Sequence, residues 1–128
     1  MDPQGPGIDP SLLIGDAAFV CSLAVMAWIS AQAARRIRPD ERVPMQFDLA
    51  GKPTWRLSRQ LGLMFAPVIA ALFGLLWTAL AHWLPAGAAG ATVAPRVMIA
   101  LAFVVAHGAH LHFAIRRIEQ ERGRGNDS

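Results

Sequence analysis

The sequence predicts an all-α integral membrane protein, with three transmembrane helices and a polar loop between the first and the second. Three observations lead there. Only 16% of the 128 residues are charged while 54% are hydrophobic, whereas a soluble domain carries about 25% charged residues to cover its surface. The shortage is concentrated: residues 17–34, 61–81 and 97–115 contain no Asp, Glu, Lys or Arg, and about 20 apolar residues suffice to cross a hydrocarbon core. The Lys and Arg residues flank these runs: none precedes the first, seven lie between the first and second, Arg96 alone lies between the second and third, and four follow the third.

Residues 1–11, MDPQGPGIDPS, are rich in Pro and Gly and read as a short disordered tail. The membrane domain covers 12–115, with spans at about 12–34, 60–84 and 96–115. In lipid the backbone must satisfy its own hydrogen bonds, so each isolated apolar run is read as a helix. Ser58 is placed to cap the second helix. Pro67 should loosen that helix by removing one backbone donor. Residues 85–95, PAGAAGATVAP, read as a small-residue turn. Residues 116–128, RRIEQERGRGNDS, form a basic C-terminal tail that begins as an extension of helix three and ends frayed and Gly-rich. Because Lys and Arg favour the cytoplasmic side, the N-terminus is expected outside and the loop and C-terminus inside.

Helices in lipid associate through small residues and interhelical hydrogen bonds. The second span carries Gly62, Ala66, Ala70 and Gly74 at spacing four, leading to Thr78 and His82 on nearly the same face. Self-association or a larger membrane partner is therefore expected beside the lipid bilayer itself. Ionisable groups inside spans are expensive, so each is a candidate for function. Asp16, His82 and Arg96 should lie at similar depth, with Asp16 pairing Arg96. His107 and His110 share a face of the third helix and His112 points away. At about 1.5 Å per residue, His107 lies roughly 16 Å along the helix from Arg96, out of reach of His82. His107 and His110 are thus only weak metal or haem candidates, and no cofactor is expected.

Other classes are excluded by what the chain lacks. Its one cysteine, Cys21, offers no internal disulfide and no Cys-x-x-Cys pair. A net charge of +3 with no basic helix or aromatic platform argues against nucleic acid. No nucleophile, base and acid set, phosphate loop or metal motif is visible, so no enzyme is expected.

The loop at 35–59 carries the most specific pattern: Pro44, Gln46, Phe47, Asp48, Gly51, Pro53 and Trp55. Asp48, Gly51 and Pro53 form turns, and Phe47 and Trp55 suit a membrane interface. This run between two membrane helices resembles the proline-histidine-aromatic-Asn/Asp-x-x-glycine-x-proline signature of a bacterial membrane domain of unknown function. That domain also forms the N-terminal part of SdpI-like immunity proteins against the sporulation-delaying toxin. The resemblance covers about 12–84 and extends to the third helix, and it implies a bacterial inner-membrane setting and a binding or immunity-like role for the loop residues. Gln46 stands where the family has histidine, so a titrating role at that position does not carry over. The family's orientation would expose the loop outside, opposite to the charge count. The reading is a binding, accessory or signalling component acting through the loop. The alternative is a homo-oligomer that gathers His107 and His110 from several copies for proton, metal or haem chemistry.

Overall fold

Asp9 opens the first helix: its carboxylate accepts the Ser11 backbone N–H at 2.9 Å, and Pro10 occupies the first turn, where its missing donor is no loss. From there α1 runs Pro10–Arg36, α2 Arg59–Trp83 and α3 Gly90–Asn126, each long and apolar enough to cross a membrane. This computed structural model describes residues 7–85 and 87–127. Helix α1 begins two residues ahead of the expected start, and residues 1–6 of the expected tail lie outside the described residues.

The all-α expectation needs one correction. Within 35–59, strands β1 (Arg42–Phe47) and β2 (Pro53–Ser58) pair antiparallel as a hairpin. Each strand carries one β-branched and one aromatic residue, Val43 and Phe47 in β1 and Thr54 and Trp55 in β2, and the two flank an Asp-x-x-Gly turn. The expected extension of helix three into the C-terminal tail runs to Asn126. The 37 residues of α3 make it about 55 Å long, well beyond a hydrocarbon core of about 30 Å. Ser58 ends β2 and stands at the N-cap of α2, but its side chain makes no capping bond.

The contacts fix the running directions. Arg36 at the end of α1 meets Glu119 of α3, and Arg59 at the start of α2 reaches Ala34 of α1. Asp16, His82 and Arg96 meet at the opposite end. Helices α1 and α3 therefore run parallel and α2 runs against them. The main apolar core lies under the hairpin, where Val43 packs among Ala33, Ile37, Leu63, Leu111, Ala114, Ile115 and Ile118. Elsewhere the pattern is inverted: Leu72, Leu75, Leu76, Val105 and Phe113 face outward, while small and polar residues line the helix contacts. That arrangement suits helices whose surroundings are apolar.

Candidate functional site

The polar side chains form three layers, one at each end of the bundle and one between. At the end away from the hairpin, Arg96 Nη2 donates to Asp16 Oδ1 and, at 3.0 Å, to Thr78 Oγ1. His82 Nε2 approaches Asp16 Oδ2 at 3.3 Å. The Arg96 side chain is only 4% exposed and turns inward rather than reaching for the surface. Gly15 makes this possible, since a Cβ there would collide with the guanidinium. A cation in this position is tolerable because Asp16 is paired with it.

The middle layer begins with a proline. Pro67 lacks the N–H that would bond the Leu63 carbonyl four residues earlier, so that acceptor is left open inside α2. Ser30 of α1 fills it, its hydroxyl donating to Leu63 O at 2.9 Å. Ser30 Oγ also lies 2.8 Å from His107 Nε2 of α3. Ser30 and His107 share a hydrogen bond whose direction is set by the imidazole tautomer. One bond chain thus joins all three helices. His107 is 2% exposed, and its Nδ1 has no well-formed partner, as is true of His110 Nε2. Both imidazoles line an open pocket of about 260 Å³ between α2 and α3, with Met45, Phe65 and Phe103 among its other walls. His112 faces away and meets Phe113 edge-on at 5.7 Å. Among the described residues no group of three or more His, Cys, Asp or Glu is placed to hold a metal ion.

The small-residue ladder divides its work. Gly62 admits Val43 of the hairpin, Ala66 lines the histidine cavity, Ala70 is buried, and Gly74 lies under the Phe19 ring of α1. It is a set of seats for neighbouring elements of this chain.

The third layer is the hairpin head, where the motif residues build the turn. Asp48 Oδ1 accepts the backbone N–H groups of Ala50 at 2.9 Å and Lys52 at 2.8 Å. Gly51 N–H closes the turn on Asp48 O, and Gly51 has φ 77°, a conformation glycine adopts freely. Pro53 opens β2, and Pro44 is buried in β1. Gln46 accepts from Trp55 Nε1 at 3.1 Å, and the Trp55 ring packs edge-on against Phe65 of α2 at 6.4 Å. Phe47 ends β1 beside the turn. Leu49, at the tip, is fully exposed.

Arginine–carboxylate pairs clamp the head onto α3. Arg56 of β2 meets Glu121 at 2.6 Å and Glu41, just before β1, meets Arg122 at 2.5 Å, while Arg117 meets Glu121 within α3 at 3.0 Å and Arg36 ties α1 to Glu119 at 2.7 Å. Burial works to raise the Glu41 pKa, but the Arg38 N–H and the Arg122 guanidinium outweigh it and hold the carboxyl below 4.5. Burial likewise opposes ionisation of Glu121, and Arg56 and Arg117 overcome it, again leaving the pKa lowered. Sequence reasoning missed these pairs and Ser30. The position of Pro67 four residues after Leu63 announces a freed carbonyl, whereas pairs joining elements distant in sequence leave no local sign. Comparison with models of known families, with curated proteins and with solved structures finds no match.

Proposed function

We propose that this chain is a small multi-pass protein of a bacterial inner membrane that acts without catalysis, by binding a partner at its hairpin head, as an accessory, signalling or immunity-like component. The observation that carries this reading is Leu49. It stands fully exposed at the tip of a turn whose geometry is held by Asp48, on a hairpin clamped to α3. A rigid element that presents an apolar side chain is preorganised for contact, since little freedom remains to be lost on binding. The resemblance of the loop to the immunity proteins points the same way.

The test is a photo-crosslinking residue at position 49 in living cells, with a second at Trp83 at the other end of the bundle as control. A discrete protein adduct from 49 and not from 83 supports the reading. Adducts to lipid alone would overturn it. The cavity lined by His107 and His110 favours a second reading, a homo-oligomeric proton, metal or haem component. Replacing both histidines by alanine separates the two, because loss of bound metal or haem absorbance belongs only to the second.

A further inference from the structure

Helix α3 leaves its charge-free stretch at Ile115 and presents Arg116 and Arg117 next. Phe113, Arg116, Arg117 and Gln120 follow the i, i+3, i+4, i+7 spacing and so share one face. The hairpin turn approaches that face, and Phe47 and Gly51 complete a groove of about 560 Å³ with these four residues. The groove is amphipathic along the helix axis. Phe113, 62% exposed, lies toward the apolar stretch, and the arginines and Gln120 lie beyond it.

Its charge is unbalanced. Glu119 is engaged by Arg36, and Glu121 by Arg56 and Arg117. Arg116 is exposed and makes no hydrogen bond or ion pair among the described residues. The one groove cation without a carboxylate is therefore the one just past the apolar boundary, where the phosphates of a bilayer leaflet lie. We propose that this groove seats the headgroup of an anionic phospholipid, with the phosphate on Arg116 and Gln120 and an acyl chain running down past Phe113. Charge complementarity selects an anionic lipid over a zwitterionic one, and the apolar lip selects a lipid over a free anion. The proposal does not rest on the partner reading of Leu49, and either can fail alone.

The experiment uses the full-length protein in nanodiscs of phosphatidylcholine with a minority of phosphatidylglycerol, released into the gas phase so that retained lipids are counted by mass. Arg116→Gln is compared with Arg124→Gln, which removes the same charge from an exposed arginine farther along α3. Arg116→Gln is expected to lower phosphatidylglycerol retention about fivefold, the effect of one juxtamembrane cation, while Arg124→Gln leaves it nearly unchanged. Equal losses in both variants would mean diffuse charge attraction and overturn the proposal, as would no loss in either. Because Arg116 holds no other residue, its replacement leaves the fold intact. Displacement of the lipid by inorganic phosphate alone would also overturn it, since the groove would then be reading the anion without the chain.

Discussion

Ser30 satisfies two groups at once, so its removal has a specific signature. Ser30→Ala leaves the Leu63 carbonyl without a partner and strands His107 Nε2. The expected loss is about 1–2 kcal/mol, between the cost of an unsatisfied buried group and the smaller values measured for hydrogen bonds between membrane helices. Adding Pro67→Ala restores the N–H that α2 lacks at that carbonyl, so the double variant should recover part of the loss in a detergent-denaturation midpoint. Simple additivity in this cycle would show that Pro67 and Ser30 are not coupled through Leu63. Asp16→Asn tests the opposite end of the bundle. It leaves Arg96 buried beside a neutral amide, and the protein should lose resistance to heating in detergent. The loss should fall short of the about 3–5 kcal/mol of a fully buried pair because Asp16 is 34% exposed. Unchanged resistance would mean that Thr78 and solvent suffice for Arg96.

The hairpin depends on one close approach and on a set of ion pairs, and the two can be tested separately. A Cβ on Gly62 would come within 2.6 Å of Val43 Cβ, an atom fixed to the strand backbone, so the hairpin itself must move. Gly62→Ala should therefore cost about 1–3 kcal/mol and raise amide exchange through 43–57 while α1 stays protected. The ion pairs answer to pH instead. Glu41 and Glu121 have folded pKa values below the ordinary 4.5. Their contribution is complete above about pH 4.5 and is lost as pH falls through the lower folded values, when the carboxylates protonate. Exchange in the hairpin should accelerate in that acid window, after correction for the intrinsic rate, and be flat from neutral pH down to it. The helices were legible because each needs only its own apolar run, as 61–81 shows. The strands were not, because Arg42–Phe47 and Pro53–Ser58 are short, carry charges and sit between two stronger signals. The site was half legible. Asp16 and Arg96 each announced themselves as charges beside apolar runs, but Ser30 is an ordinary polar residue until Leu63 and His107 are brought to it.

At the scale of the molecule the charge is polarised along the bundle. Every Lys and Arg except Arg96 lies between 35 and 59 or after 115, and those two stretches meet at the hairpin end. Arg96, at the other end, is neutralised by Asp16 and buried, so that end presents no free cation among the described residues. The extra length of α3 also projects beyond the apolar zone on the hairpin side, where its arginines and glutamates hold the head. Both features bear on insertion in the same sense, because Lys and Arg close to the spans are retained on the cytoplasmic side. The hairpin end should then face the cytoplasm, with the Asp16, His82 and Arg96 layer near the opposite surface. In a Cys21→Ala background, Thr54→Cys places a thiol at an exposed position of β2 and Pro85→Cys places one just past α2. A membrane-impermeant thiol reagent should label position 85 on intact cells and position 54 only after permeabilisation. The reverse pattern would mean that the chain inserts against its own charge. Leu49 and the groove around Arg116 would then meet whatever arrives from outside the cell.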